Sequence, residues 1–265
     1  MPITAIDDVD LYYNSTGTGE ALVLVPGFAS GAWSWEWQLQ YLSEGFRVIV
    51  LDPRGISNSK GLGNKTLSIE LIADDIAGLL NSLRITSAHM LGVSFGGFVA
   101  QEFALKYPDR LNKLVLASTS FGGPNHVSPS LKVLGAFAST EGLNSSERIR
   151  QYLSMSFSPD FVASNPETVE EFCRLREENF VPERVYLGQL HSAFAFDAES
   201  RLGEIRAETL VITGDIDTIV PIQNSRNLAA AIPNTEFVII EGGSHMAFVE
   251  RAEHFNSIVR DFLDK

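Results

Sequence analysis

The feature that most restricts the fold of this 265-residue chain is the pentapeptide Gly-Val-Ser-Phe-Gly at residues 92–96. It follows the apolar run 88–91, which is typical of a buried strand, and precedes an amphipathic stretch at 99–107. The chain must therefore turn sharply from a strand into a helix within five residues. Glycines suit such a turn because a Cβ there would collide with the adjoining strand or helix. The turn pushes the Ser94 side chain outward.

Short apolar runs alternate with amphipathic stretches along most of the chain, which predicts a parallel sheet covered by helices on both faces. A stripe of apolar residues along 69–83 is typical of one such helix. The predicted strand cores, which are apolar on both faces, are Val23, 48–51, 88–91, 114–117, 210–212 and 237–240.

The alternation stops between Phe121 and about Leu202, where helical stretches such as 145–152 and 168–179 replace the strands. We therefore predict an α/β core formed by residues 1–120 and 203–265, with residues 121–202 as a helical cap insertion. The insertion should roof the carboxyl end of the sheet, where open α/β folds bind their ligands.

Two residues downstream of Ser94 complete a candidate catalytic triad. Asp217 lies just past the predicted strand 209–213, and His245 lies in a Gly-Gly-Ser-His turn after the strand 236–240. The chain order is serine, acid, histidine, which differs from the order in two unrelated groups of serine proteases. Asp215 is the alternative acid, and we expect it to cap or solvate the turn. The remaining histidines, interpreted as structural or solvated, are His89, His126, His191 and His254.

With these motifs the chain resembles the α/β-hydrolase superfamily from about residue 22 to residue 262. Residues 22–28 (Leu-Val-Leu-Val-Pro-Gly-Phe) resemble the family's strand and oxyanion loop, and residues 52–55 (Asp-Pro-Arg-Gly) resemble its Asp-x-Arg-Gly turn. The resemblance implies an α/β-hydrolase fold, with a mostly parallel, doubly wound sheet and a helical cap. Pro26 stands where many relatives have His, and Ser57 stands where a second Gly is usual.

A Gly-Gly-Gly oxyanion loop is absent from the sequence. The resemblance therefore points to the group that includes enol-lactonases, cofactor-free haloperoxidases, carbon–carbon bond hydrolases and assorted esterases. It implies Ser94 as nucleophile, His245 as the base that takes its proton, and Asp217 as the group that fixes the histidine tautomer. It also implies an oxyanion hole made by the backbone amides of Phe28 and Phe95.

The site is expected to bind a mostly apolar small molecule, because aromatic and methionine side chains cluster near it or in the insertion. The side chains predicted to contact substrate are Phe28, Trp33, Phe121, Met155, Phe194, Met246 and Phe248. Arg54 in the Asp-Pro-Arg-Gly turn is expected to hold the loop by internal hydrogen bonds.

Composition excludes several classes of partner. A net charge of −13 argues against binding to nucleic acid or to an anionic membrane, because both depend on Lys and Arg. The single cysteine, Cys173, allows no internal disulfide. Neither a signal-peptide pattern nor a membrane-length apolar run occurs, so we expect a cytoplasmic protein. Metal-binding and phosphate-loop motifs are also missing, so we expect neither a metal nor a cofactor.

These observations lead to a serine hydrolase of a small carboxylic ester or lactone, working through an acyl-enzyme intermediate. One alternative keeps the triad but uses peroxide as acceptor or a carbon–carbon bond as target. Another alternative is a ligand receptor or regulatory protein of the same fold.

Overall fold

The computed structural model describes residues 2–61, 65–138, 145–179 and 181–265. Within these residues the strands form one eight-stranded sheet in the order β1-β2-β4-β3-β5-β6-β7-β8. The strands are β1 Ile3–Ile6, β2 Val9–Thr16, β3 Ala21–Val25, β4 Arg47–Leu51, β5 Ala88–Val93, β6 Leu111–Ala117, β7 Glu208–Gly214 and β8 Thr235–Ile240.

Strands β3 to β8 pair in parallel, whereas β1 and β2 add an antiparallel edge. All six predicted strand cores lie within the parallel strands, which confirms the mostly parallel α/β fold. The sequence analysis missed β1 and β2, because β2 is largely polar and only its first residues are buried. The two strands are joined by a tight turn in which Asp7 adopts a φ of 48°.

Helices flank the sheet on both faces. Ser68 begins α2 by accepting a hydrogen bond from the backbone N–H of Leu71 at 3.2 Å. The α-helices in the described residues are α1 Glu36–Leu42, α2 Ile69–Ser82, α3 Phe95–Lys106, α4 Leu131–Ala138, α5 Ser145–Ser156, α6 Pro159–Ser164, α7 Pro166–Glu178, α8 Glu183–Ala195, α9 Ile222–Ala231, α10 Ala247–Glu250 and α11 Ala252–Leu263.

Strand β3 shows how the sheet divides the apolar core in two. Its alternate residues point to opposite faces, as the pleat requires. Val23 and Val25 pack in a cluster with residues of α2 and α3, whereas Leu22 and Leu24 pack in a second cluster with residues of α1 and α11. Both faces of the central strands are therefore buried, which explains their continuous apolar sequences.

Helices α4 to α8 lie between β6 and β7, in the segment predicted as a cap. The predicted helical stretches 145–152 and 168–179 fall in α5 and α7. At the base of the segment, Gly122 and Asp197 form an antiparallel bridge that brings its two ends together. The boundaries at residues 121 and 202 stay a prediction. None of the helices described here is both long enough and apolar enough to span a membrane.

Arg54 lies in the turn after β4 and is almost fully buried, with 1% of its surface exposed. Its Nε and Nη2 atoms donate to the two carboxylate oxygens of Asp75 at 2.7 and 2.6 Å. Asp75 lies on α2, so this bidentate pair fixes the turn against the helix.

Candidate active site

Ser94 lies in the sharp turn between β5 and α3, with φ at 53° and ψ at −118°. This conformation is uncommon for a residue with a side chain. Neighbouring glycines make the turn possible. A Cβ on Gly92 would lie 2.3 Å from the Gly96 carbonyl oxygen, and one on Gly96 would lie 2.2 Å from the Val25 carbonyl oxygen. The turn therefore packs against β3 more closely than any side chain allows.

The structure brings Ser94, His245 and Asp217 together from three strand ends. The Nε2 atom of His245 lies 3.1 Å from Ser94 Oγ, and its Nδ1 atom lies 2.9 Å from Asp217 Oδ2. His245 and Asp217 are 2% and 7% exposed, so this chain of hydrogen bonds is shielded from water. The geometry lets His245 accept the Ser94 proton while Asp217 orients the imidazole.

Asp217 is held by its own loop. Its Oδ1 atom accepts hydrogen bonds from the backbone N–H groups of Ile219 and Val220, both at 2.8 Å, which leaves Oδ2 for His245. Asp215 instead accepts a hydrogen bond from the Gly242 N–H at 2.7 Å and ties the acid loop to the histidine loop. The structure thus gives the two acids different contacts, and only Asp217 bonds His245.

The two predicted oxyanion donors lie on segments that meet at Ser94. Phe95 is the first residue of α3, where a backbone N–H has no acceptor within the helix. Phe28 lies in the loop after β3, and its ring packs edge-on against the Phe95 ring at 6.2 Å. The next amide of that loop, on Ala29, donates to Gln189 Oε1 on α8 at 2.7 Å. The oxyanion role of the two amides stays a prediction.

Two cavities meet at Ser94 and Phe28, which line both. We call the first the polar chamber; its empty space, including its opening to solvent, is about 370 Å³. Its other lining residues include Tyr152, Arg176, His245, Met246 and Phe248. We call the second the apolar chamber; it measures about 790 Å³ on the same basis. Its lining residues include Phe95, Phe98, Val127, Leu134, Leu190, Phe194, Ile219 and Val220.

Arg176 brings a positive charge into the polar chamber. Its Nη1 atom donates to the Phe28 carbonyl at 3.1 Å and to Ser30 Oγ at 2.9 Å, and its guanidinium carbon lies 5.7 Å from the centre of the Tyr152 ring. Within the described part of the chain, no carboxylate pairs with it. Burial lowers the pKa of Arg176, against an opposing effect of the nearby Tyr152 and Tyr186 phenols. Arg176 stays cationic at neutral pH all the same.

Comparison with known proteins agrees with this geometry. The family described as "alpha/beta hydrolase fold" matches residues 20–252 of the chain. The chain belongs to the alpha/beta hydrolase fold family. A 2-hydroxy-6-oxononadienedioate/2-hydroxy-6-oxononatrienedioate hydrolase from Burkholderia vietnamiensis is 33% identical over 271 residues, covering 97% of this chain and 91% of the relative.

Two other matches describe related chemistry. A 2-hydroxy-6-oxo-6-phenylhexa-2,4-dienoate hydrolase from Comamonas testosteroni is 28% identical and covers 97% of this chain and 92% of the relative. The crystal structure of an enol-lactonase from Burkholderia xenovorans LB400 is 26% identical, with a TM-score of 0.88 and full coverage of both chains. The chain is therefore a hydrolase of this fold, and such relatives act on small molecules.

The residues predicted to contact substrate are divided between the two chambers and other parts of the structure. Phe28, Met246 and Phe248 line the polar chamber, Phe28 also lines the apolar chamber, and Phe194 lines the apolar chamber at its exposed edge. The remaining three predicted residues line neither chamber, as follows.

Trp33 lines a separate cavity beside Asp52, and its ring packs at 5.1 Å against Phe172, a residue that does line the polar chamber. Phe121 is buried in the apolar cluster that packs with α2 and α3. Met155 uses its backbone carbonyl to accept a hydrogen bond from Thr218 Oγ1 at 3.0 Å. Sequence position near the site did not distinguish these residues from true lining residues.

Sequence reasoning also missed two polar residues at the site, Arg176 and Gln189. Arg176 lies in a strongly charged helix, a pattern that is typical of a solvated face. The available signal was its spacing: Arg176 follows the buried Phe172 and Cys173 by four and three residues, so it shares their face of α7. Gln189 similarly lies four residues after the buried Val185 on α8.

Proposed function

We propose that this hydrolase splits a carbon–carbon bond beside a ketone in a small 2-hydroxy-6-oxo-dienoate, binding the substrate carboxylate at Arg176. The observation that carries the proposal is the Arg176 guanidinium in the same cavity as Ser94, with no carboxylate partner in the described residues. A cation in a partly buried cavity favours an anionic ligand, because a guanidinium binds a carboxylate through charge-assisted hydrogen bonds. This modifies the expectation of a mostly apolar substrate.

The names of the curated relatives support the choice of bond. A 2-hydroxy-6-oxo-dienoate has a carboxylate, a hydroxyl and a ketone but no ester, so its hydrolysis must break a carbon–carbon bond. Relatives with such names match 97% of this chain. A carboxylate is common to all of these substrates, and Arg176 is a suitable partner for it.

In the proposed reaction the proton of the 2-hydroxyl moves to C5, which gives a 2-oxo intermediate with a saturated C5. His245 then takes the Ser94 proton, and Ser94 Oγ attacks the C6 ketone. The Phe28 and Phe95 amides stabilise the oxyanion that forms. When the C5–C6 bond breaks, its electron pair becomes a dienolate whose charge reaches the oxygen on C2.

That oxygen is adjacent to the carboxylate, so Arg176 stabilises the leaving group as well as binding the substrate. His245 returns its proton to the dienolate. A water molecule, activated by the same histidine, then hydrolyses the acyl group from Ser94 and restores the free enzyme. Burial raises the pKa of Tyr152 further above neutrality, so its phenol stays protonated in the chamber.

The apolar chamber supports a further choice between the two substrate types named for the relatives. One type carries a second carboxylate beyond the ketone, and the other carries a phenyl group. The described residues that line the chamber are largely aromatic and aliphatic; apart from Ser94, the polar ones are Thr119, Ser120, His126 and Asn224, and none is Lys or Arg. A phenyl or alkyl group on C6 should therefore bind better than a carboxylate, which would lose its hydration without gaining a Lys or Arg partner.

A second candidate is the hydrolysis of an ester or enol lactone that carries a carboxylate. It is favoured by the likeness to the enol-lactonase along the full length of both chains. The same triad would serve, and the leaving group would be an oxygen anion in place of a carbon-centred one. Arg176 has the same role in both candidates.

The test is a direct comparison of substrates with the purified protein. We expect the loss of the dienoate chromophore when 2-hydroxy-6-oxo-6-phenylhexa-2,4-dienoate is added, with release of benzoate. Two matched esters, phenyl butyrate and 3-(butyryloxy)benzoate, differ only by a carboxylate on the leaving group. The ratio of their turnover rates shows how much that carboxylate contributes. Turnover of the carboxylate ester without turnover of the dienoate would favour the second candidate. A lack of turnover with all three compounds would contradict both.

A further inference from the structure

Glu250, the last residue of α10, is a buried carboxylate that the proposed reaction does not use. It is 7% exposed, and no Lys, Arg or His pairs with it in the described residues. A buried carboxylate without a cation is costly unless hydrogen bonds replace its lost hydration. The contacts of Glu250 therefore indicate what it stabilises.

The two oxygens of Glu250 bind backbone N–H groups from different parts of the molecule. Oε2 accepts from Ser244, the residue immediately before His245, at 2.9 Å. Oε1 accepts from Ser158, which precedes α6 in the segment between β6 and β7. One side chain thus joins the histidine loop to the helices above the site.

Other hydrogen bonds reinforce the same junction. They join the histidine loop to residues 155–158, which we call the anchor segment. The Ser156 carbonyl accepts from Ser244 Oγ at 2.6 Å and from the Met246 N–H at 3.2 Å. The residues on both sides of His245 are therefore bonded to the anchor segment. Thr218, next to Asp217, also donates to this segment through the Met155 carbonyl at 3.0 Å.

We propose that Glu250 is a positioning residue, which holds the His245 loop against the anchor segment and so keeps the imidazole in reach of Ser94. The inference rests on the triad of the proposed function and not on its substrate. Without the carboxylate, two buried N–H groups lose their acceptor and the loop can shift. Because the His245–Ser94 contact is already 3.1 Å long, a displacement of about 1 Å would cost on the order of 100-fold in rate.

The anchor segment begins with the last two residues of α5, which carries Tyr152 into the polar chamber one helical turn earlier. Glu250 therefore joins the wall that contacts substrate to the loop that carries the base. A movement of α5 in solution would be transmitted to His245 through this carboxylate. Positioning through Glu250 thus acts on the reaction without contact with the substrate.

The experiment compares the Glu250→Gln and Glu253→Gln variants with the wild type. It measures the rate at which a serine-directed phosphonate labels Ser94 in each protein. Glu253 is an exposed carboxylate three residues further along and serves as the matched control. We expect Glu250→Gln to lower the labelling rate and kcat by about 10- to 100-fold, with KM changed by less than about threefold. Labelling is expressed per folded molecule from the thermal unfolding curve, so that lost stability alone does not lower the measured rate. Glu253→Gln should label at the wild-type rate.

If Glu250→Gln does not fold, Ser244→Ala provides the second test, because it removes the Ser244 Oγ bond to the anchor segment. It also removes an acceptor of the Met246 N–H, which keeps its bond to the Ser156 carbonyl. We expect a loss of about three- to tenfold in labelling rate for that variant. Wild-type labelling by folded Glu250→Gln would overturn the proposal, and so would wild-type labelling by Ser244→Ala where Glu250→Gln does not fold. A failure to turn over dienoate would remove the proposed substrate but would leave this test unchanged, because the phosphonate reports on Ser94 and His245 alone.

Discussion

The polar and apolar chambers share the lining residues Ser94 and Phe28 but differ in their other lining residues. The polar chamber contains the guanidinium of Arg176, the phenol of Tyr152 and the imidazole of His245. The apolar chamber is about twice as large and is lined mainly by Phe, Leu, Val and Ile side chains. The difference gives the substrate a direction: its charged end and its apolar end are expected on opposite sides of the serine. The predicted triad residues lie in turns that follow strands β5, β7 and β8, whereas Arg176 and Tyr152 lie on helices between β6 and β7.

The largest effect is expected from removing the Ser94 hydroxyl, because Ser94 lines both chambers. Ser94→Ala should reduce the hydrolysis of every substrate by at least about 1,000-fold, because the proposed acyl intermediate forms on this residue. Steady-state kcat/KM for the dienoate and for phenyl butyrate measures the loss. Ser154→Ala, an exposed serine on α5, is the control and should leave both rates unchanged. Equal activity in Ser94→Ala and the wild type would refute the triad.

The polar chamber is tested by neutralising its cation. Arg176→Gln should lower kcat/KM for substrates with a carboxylate by about 10- to 100-fold, because a hydrogen bond to a charged group contributes about 1.5–3 kcal/mol. Phenyl butyrate, which has no carboxylate, should change by less than about fivefold. Arg174→Gln removes an exposed guanidinium that pairs with Glu171 and Glu178 on the same helix, and it should leave both substrates unaffected. A uniform loss across charged and uncharged substrates would show that Arg176 only supports the Phe28 loop.

The apolar chamber is tested by placing a cation in it. Leu190→Arg should change the ratio of kcat/KM between the phenyl dienoate and the nonadienedioate by about tenfold in favour of the dioate. The guanidinium would supply the partner that a second carboxylate lacks in the wild type. Leu187→Arg, on the same helix but outside the lining of the chamber, is the matched control. An unchanged ratio for Leu190→Arg would mean that the C6 group binds elsewhere.

The smallest effect is expected outside both chambers. Trp33→Phe should leave kcat/KM within about twofold of wild type, because Trp33 lines a separate cavity beside Asp52. The indole N–H of Trp33 is buried and has no hydrogen-bond partner among the described residues, so the substitution removes none of the bonds described. A loss above tenfold with either dienoate would place Trp33 in the substrate path.

The sequence was most informative where local geometry permits few residue types. The Gly-x-Ser-x-Gly turn predicted a conformation in which added Cβ atoms would overlap backbone oxygens, and the structure has that turn. The parallel strands were predictable because their apolar runs are continuous, whereas β1 and β2 carry no such signal. The relatives also shift the leading hypothesis from an ester or lactone toward a carbon–carbon bond.

Pocket contacts were harder to predict, because they depend on how helices from a long insertion pack over the sheet. Trp33 and Phe121 are aromatic residues near the site in sequence, but tertiary packing places them outside the lining of both chambers. Arg176 lies 82 residues after Ser94 in the sequence and 2.9 Å from Ser30 Oγ in the structure. Its position follows from the packing of α7 and not from any local motif.

The most direct test of the proposed substrate direction is a crystal structure of the Ser94→Ala variant with 2-hydroxy-6-oxo-6-phenylhexa-2,4-dienoate bound. The account predicts the carboxylate against the Arg176 guanidinium, the C6 ketone oxygen at the Phe28 and Phe95 amides, and the phenyl group beside Phe98 and Leu190. A ligand with its carboxylate in the apolar chamber, or with its ketone away from residue 94, would contradict it.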